Sequence, residues 1–228
     1  MTSPQPKVVL FWDLDGTLLT TGRAGMYAFE EAVTEVTGVA CDLQDLTTAG
    51  LTDWGVATLV LEHSGQEATP ERIDAVLRAY ERRLPDSLPR RTGRVLDGVR
   101  EALEDLAGDE RVHSYLLTGN TPAGARAKLR HYDLDGFFPD GEGAFSIDDA
   151  ERAEIARRAI AAAPAEEQAY VIGDTPADVA CGTAIGARTI AVTSGWHSRE
   201  ELAACDPWIV LDRIPEPAEF RRLVGLEP

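Results

Sequence analysis

The stretch FWDLDGTLLT, residues 11–20, follows KVVL and ends an apolar run on two carboxylates one residue apart, Asp13 and Asp15. The run KVVLFW is short, β-branched and aromatic, the pattern of a parallel strand buried on both faces. The same four letters, DLDG, recur at residues 133–136. That copy follows a helix end, KLRHY, and leads into Phe137 and Phe138, so a helix-to-strand turn is expected there. The question is what the first copy does at the end of a core strand.

The 228 residues suffice for one large domain, or for a core domain with an insert. A hydrophobic fraction of 44% is ordinary for a globular protein. No apolar run approaches the roughly 20 residues that span a bilayer. The leading MTSPQPK has no hydrophobic signal segment, so a cytoplasmic protein is expected. Cys41, Cys181 and Cys205 have no metal-type spacing and are expected to be reduced thiols. A net charge of −17 argues against nucleic acid and anionic membranes as partners. A monomer or homodimer is expected. An anionic substrate would need local cations and backbone N–H groups, and lysine is scarce: only Lys7 and Lys128.

Downstream of the first strand, GRAGMYAFEEAVTEVTG and the segments 53–63 and 70–84 have helical periodicity. LPDSLPRRTG has the composition of a linker. No convincing strand falls between residues 20 and 91. After the linker, strands (VHSYLLT, QAYVIGD, RTIAV, WIVLD) alternate with helices (DGVREALEDLAG, TPAGARAKLRHY, DDAERAEIARRAIAAA, TPADVACGTAIG). A C-terminal helix closes the chain. This alternation predicts an α/β fold, a doubly wound, Rossmann-like parallel sheet. The core comprises residues 1–19 and 92–228, interrupted by a helical insert at 20–91.

In an open α/β sheet, ligands bind at the carboxyl ends of the strands. Asp13 and Asp15 follow the first strand, and Thr118, Gly119 and Asn120 follow VHSYLLT. Asp174 and, four residues on, Asp178 follow QAYVI. Asp13 and Asp15 are expected to point in different directions, so that one can attack while the other handles a proton. Asp13 and Asp174, from different strands, can hold a hard cation such as Mg²⁺. Thr118 and the N–H groups of Gly119 and Asn120 precede a helix, where phosphate oxygens bind well. Each motif alone has a plainer reading: a turn for DxDG, a helix cap for Thr118–Asn120 or Asp174. Their order and common placement at strand ends favour a site for aspartate attack on phosphorus.

DLDGTLL, LLTGN and VIGDTPAD resemble the first, second and fourth motifs of the haloacid dehalogenase-like hydrolase superfamily. The resemblance is to its phosphoglycolate phosphatase-like branch, with a helical cap inserted after the first motif. It implies a Mg²⁺-dependent phosphatase acting on a small phosphorylated metabolite through an aspartyl-phosphate. Asp13 then resembles the nucleophile and Asp15 the general acid/base. Leu14, Asp15, Thr118, Gly119, Asn120 and Arg152 resemble the phosphate-binding set. Asp13, the Asp15 carbonyl and Asp174 resemble the metal ligands, with Asp178 orienting the metal shell. A sugar phosphomutase of the same superfamily shares this set, and a non-catalytic phosphate-binding module is the more distant competitor.

The family carries a lysine in a third motif. Lys128 lies too close to the second motif, inside a helix that resembles other family sequences. The position that resembles the motif is Arg152, in DDAERAEI, which can supply the charge in a forked geometry suited to phosphate or can equally be a solvated helix arginine. In the cap, Arg23 and the GLTDWG stretch, with Thr52 and Asp53, are the polar candidates for choosing the substrate. Thr52 and Asp53 can equally be a helix cap.

Overall fold

The structure is a computed structural model that describes residues 7–138, 143–148, 151–163 and 168–226. The strand β1 (Val8–Trp12) lies inside a six-stranded sheet. It pairs in parallel with β4 (Val112–Leu117) on one side and β6 (Gln168–Gly173) on the other. The short β5 (Gly143–Ala144) extends the sheet beyond β4. On the other flank lie β7 (Arg188–Val192) and β8 (Ile209–Leu211), giving the order β5-β4-β1-β6-β7-β8, parallel throughout.

Alternation along β1 builds both faces of this sheet. Val8, Leu10 and Trp12 enter one core, against the helices α4 (Val99–Leu106) and α9 (Pro217–Leu223), where Trp12 stacks on Phe220 at 5.6 Å. Val9 and Phe11 enter the opposite core, with Ile155 and Ala156 of α6 (Arg152–Ala162) and Cys181 of α7 (Pro176–Ile185). Each large apolar side chain so enclosed contributes roughly 2 kcal/mol relative to exposure. The continuous apolar run is therefore the consequence of being covered on both sides.

Between β2 (Leu19–Thr20) and β3 (Arg94–Val95) the chain forms α1 (Ala24–Thr37), α2 (Asp53–His63) and α3 (Pro70–Ser87). These helices share their own buried cluster, in which Phe29 and Tyr80 stack at 3.9 Å. β2 and β3 pair antiparallel, Leu19 against Val95 and Thr20 against Arg94, so the chain departs and returns side by side. The sequence predicts neither β2 nor β3: it offers no convincing strand between residues 20 and 91, and residues 94–95 fall just after the expected linker. A two-residue ribbon is too short for alternation to register. Likewise α3 runs on through Pro85 into the expected linker, because only the last turn must accommodate a missing N–H there.

α5 (Pro122–His131) ends at the second DLDG. Asp133 takes a left-handed φ of 54°, and Asp135–Phe137 form one 3₁₀ turn instead of the expected start of a strand. Among the described residues the next strand is β5 (Gly143–Ala144). A short helix α8 (Arg199–Ala203) precedes β8 and was not expected either. Residues 149 and 150 of the expected DDAERAEI helix lie outside the described residues.

This placement predicts how the second DLDG responds to mutation. Asp133→Ala forces a β-carbon residue with no side-chain hydrogen bond into the left-handed region and should cost about 1 kcal/mol. For a chain of this size that lowers Tm by about 2–4 °C. Asp135→Ala should leave Tm nearly unchanged, and neither should move turnover more than a few-fold. Thermal melts and initial rates check this; a catalytic collapse in either variant would contradict the assignment of this copy as a turn.

Candidate active site

β1, β4 and β6 end together, and their next residues meet. Asp13, Asp174 and Asp178 are buried, and one carboxylate oxygen from each lies within 4.8 Å of the others. Gly16, at φ 87°, permits the approach. Its left-handed conformation turns the loop back on itself, with Leu18 and Leu19 N–H both donating to Leu14 O, and a β-carbon there would collide with the Asp174 carboxylate. Thr17 Oγ1 donates to Asp174 Oδ1 at 3.2 Å.

Arg152 completes this cluster. Its Nη2 donates to Asp13 Oδ1 at 2.9 Å and also to Asp178 Oδ1. Arg152 is the first residue of α6, where a cation opposes the positive end of the helix dipole. The two carboxylates offset that cost and hold the guanidinium charged against its own burial. Asp178 has no spare oxygen: Oδ2 accepts from Thr175 N at 3.0 Å and Thr175 Oγ1 at 2.7 Å, in the capping box that opens α7. Asp178 therefore fixes Arg152 and α7 simultaneously. Burial pushes Asp13 up to about 7; Arg152 opposes the shift, while Asp178 and Asp15 add to it. Asp174 is pushed well up by burial, then by Asp13 and Asp178.

Asp15 points elsewhere because β1 has ended at Trp12 and the loop turns at Gly16; within a strand, residues two apart would share a face. Its side chain is 41% exposed, and Oδ2 accepts from Lys128 Nζ at 2.5 Å and Asn120 Nδ2 at 2.9 Å. Lys128 Nζ also donates to Asn120 Oδ1 at 2.6 Å, and Asn120 Nδ2 to Thr118 Oγ1 at 2.8 Å. With Oγ1 accepting from Asn120, the Thr118 hydroxyl proton is left for another acceptor.

Lys128 thus corrects the sequence reading, which set it aside as too near the second motif. Proximity along the chain is what brings it in. Gly124, Ala125, Lys128 and Leu129 form the buried stripe of α5, so a lysine two turns in faces the strand end. A lysine on an otherwise apolar stripe was the available signal.

The helical segment reaches this cluster through GLTDWG. Thr52 is the N-cap of α2, accepting from Gly55 N at 3.1 Å, so its hydroxyl serves the helix. Asp53 is buried: its N–H donates to Gly119 O at 2.6 Å, and Oδ2 accepts from Thr121 N at 2.7 Å. Burial pushes Asp53 up to about 7, with Lys128 the main opposing influence. Gly119 lets this contact form, since a β-carbon there would meet Leu51 O at 2.7 Å. Arg23 lines the cavity but spends Nη2 on Leu43 O and Gln44 O, each at 3.1 Å. Leu14 is buried behind Asp13, its backbone facing the loop. The cavity between sheet and helices holds about 800 Å³. Among the rim residues that sequence reasoning missed are Tyr80, Ser194 and Trp196.

A metal would fit here on charge grounds. Three buried carboxylates face one guanidinium, leaving a deficit of two positive charges within an all-oxygen donor set, the preference of Mg²⁺ or Ca²⁺.

The family profile described as haloacid dehalogenase-like hydrolase matches residues 10–183, and a second, described as HAD-hydrolase-like, matches 151–217. The chain is 27% identical over 214 residues to the "Probable phosphatase IndB" of Dickeya dadantii (strain 3937), across 92% of this chain and 91% of that protein. Its fold superposes on a crystal structure of a predicted phosphoglycolate phosphatase from Haemophilus somnus with a TM-score of 0.68 at 15% identity, covering 99% and 100% of the two chains. CbbY from Rhodobacter sphaeroides, solved in complex with phosphate, superposes with a TM-score of 0.69 at 19% identity, over 92% and 95%.

The two cations should differ in what they support. Arg152→Ala leaves two carboxylates facing each other and removes a charge-assisted contact, so kcat/KM should fall at least about 30-fold, near 2 kcal/mol. Arg152→Lys should recover part of it, whereas Arg157→Ala and Arg158→Ala, exposed and paired with Glu154 and Asp148, should be nearly silent. Lys128→Ala should lower kcat at least about tenfold by freeing Asp15 and Asn120. Steady-state kinetics on the five proteins decides it; wild-type rates in Arg152→Ala or Lys128→Ala would remove that residue from the site.

Proposed function

We propose that this chain, which belongs to the haloacid dehalogenase-like hydrolases and is a phosphatase of that family, cleaves a small phosphomonoester through an aspartyl-phosphate on Asp13. The observation that carries the reading is the meeting of Asp13 with Arg152 at 2.9 Å, beside Asp174 and below an open cavity. In this reading residues 20–91 form the cap that covers the site and the remainder forms the catalytic core. The three cysteines are unpaired, in keeping with a cytoplasmic enzyme.

A carboxylate oxygen of Asp13 attacks phosphorus, and the bond from phosphorus to the ester oxygen breaks. Arg152 holds the Asp13 carboxylate in place and draws charge from the phosphoryl oxygens. Thr118 donates its hydroxyl proton to one of these oxygens, and the N–H groups of Leu14, Asp15, Gly119 and Asn120 supply further donors. Asp15, half exposed and steadied through Oδ2 by Lys128 and Asn120, gives a proton to the departing alkoxide. It then takes a proton from the water that attacks the phosphoaspartate, which releases inorganic phosphate and restores Asp13. Asp13, Asp174 and the Asp15 carbonyl would hold Mg²⁺, with Asp178 steadying the arrangement. When bound, the ion neutralises the phosphate dianion and keeps Asp13 ionised against the burial that pushes it up. The homologous phosphatase from Dickeya dadantii and the phosphate complex of CbbY support a phosphorylated small molecule as the substrate.

Asp13→Asn keeps the shape and removes the attacking charge, so activity should fall by orders of magnitude with the fold intact by circular dichroism. A variant that keeps more than about a tenth of the activity, roughly 1.4 kcal/mol of barrier, would refute the nucleophile. In the same assay EDTA should abolish wild-type turnover and Mg²⁺ restore it. Ca²⁺ should restore it poorly, since its looser, larger coordination misplaces the attacking oxygen. Full activity in chelator would refute the metal.

A further inference from the structure

The phosphate end of the cavity accounts for only part of its wall. Four basic side chains line it: Arg23, Arg94, Lys128 and Arg152. Each has partners already. Arg152 is held by Asp13 and Asp178, and Lys128 by Asp15 and Asn120. Arg94 pairs with Asp97 at 2.8 Å, and Arg23 binds two carbonyls. The wall beyond the phosphate also carries two carboxylates, Asp45 and Asp53. A second anion on the substrate would meet those carboxylates, and the two basic groups beyond the phosphate, Arg23 and Arg94, are each already tied to neighbouring carbonyls or a carboxylate.

The rest of the wall is apolar or neutral. Met26, Phe29, Leu46, Val56 and Tyr80 line the helical side, with the Phe29 and Tyr80 rings nearly parallel, 12° apart. Thr47, Thr48 and Gln44 add uncharged hydrogen-bonding edges. The mouth is more unusual. Among the described residues five large apolar side chains are exposed: Val39, Leu51, Ile147, Trp196 and Trp208. Two of them, Leu51 at 43% and Trp196 at 79%, line this same cavity. An exposed tryptophan at the rim of a pocket is an apolar surface awaiting a partner. Its loop is anchored, because Ser194 Oγ donates to Gly16 O at 2.7 Å, which ties Trp196 to the loop that carries Asp13 and Asp15.

Resting on the phosphatase reading, we infer that the alcohol released from the phosphate is uncharged and carries an aromatic or heteroaromatic ring, which Trp196 and Leu51 contact at the mouth. Trp196 is a specificity residue in this account. A carboxylate-bearing alcohol such as glycolate, or one with a second phosphate, fits the wall poorly.

The test uses the full chain with Mg²⁺ and four phosphates of primary alcohols, whose leaving groups are of similar basicity: 2-phenylethyl phosphate, uridine 5′-phosphate, glucose 6-phosphate and phosphoglycolate. At least one ring-bearing ester should exceed both glucose 6-phosphate and phosphoglycolate by tenfold or more in kcat/KM. Trp196→Ala should lower that selectivity ratio at least fivefold, mainly through KM of the ring ester, and Trp196→Phe should retain most of it. Phosphoglycolate or glucose 6-phosphate as the best of the four, or an unchanged ratio in Trp196→Ala, would overturn the inference while leaving the phosphatase standing. Hydrolysis of none of the four above the level of Asp13→Asn would overturn the proposed function and the inference with it.

Discussion

The contact on which the site depends is the buried triad Asp13–Arg152–Asp178. An isolated charge in that position would be expelled or neutralised. Here one guanidinium is held between two carboxylates, Asp13 at the end of β1 and Asp178 in the first turn of α7, and the second of these is itself held by the cap of α7. The arrangement remains short of positive charge once Asp174 is counted. A divalent cation would relieve that shortage, and without one a phosphate dianion would deepen it.

A second charged node does different work. Asp15, Lys128 and Asn120 bind one another at the edge of the cavity, where Asp15 is open to solvent. The first node is sealed and fixes geometry; the second is exposed and can exchange a proton. Asp53 joins this node to the helical segment, since its backbone and side chain both bind the loop that carries Gly119 and Asn120. Movement of the helices away from the sheet would break two hydrogen bonds at the loop that follows β4. In this account the position of the cap is thereby coupled to the readiness of the site.

Much of this was legible in the sequence, for identifiable reasons. The core strands were visible because double-sided burial demands continuous apolar runs, as in VVLFW and YVIG. The strand-end carboxylates stood out against those runs. Arg152 was reached by resemblance, and the structure places it against Asp13. Lys128 was missed because chain distance was taken for spatial distance, when two turns of α5 bring it directly over Asp15. The ribbon β2–β3 and the strand β5 were invisible because two residues carry no periodicity. Thr52 shows the converse: a polar residue near a site can serve a helix cap, while Arg23 lines the cavity with one nitrogen holding a loop.

The central claim is that Asp13 becomes phosphorylated. The most direct measurement is acid quenching of the enzyme within one turnover of a phosphomonoester substrate, followed by peptide mass spectrometry. The account predicts an acid-trapped phosphate on the peptide containing Asp13, localised to that residue and absent from Asp13→Asn. A phosphate found stably on another residue, or release of inorganic phosphate in a single turnover with Asp13 never modified, would contradict it.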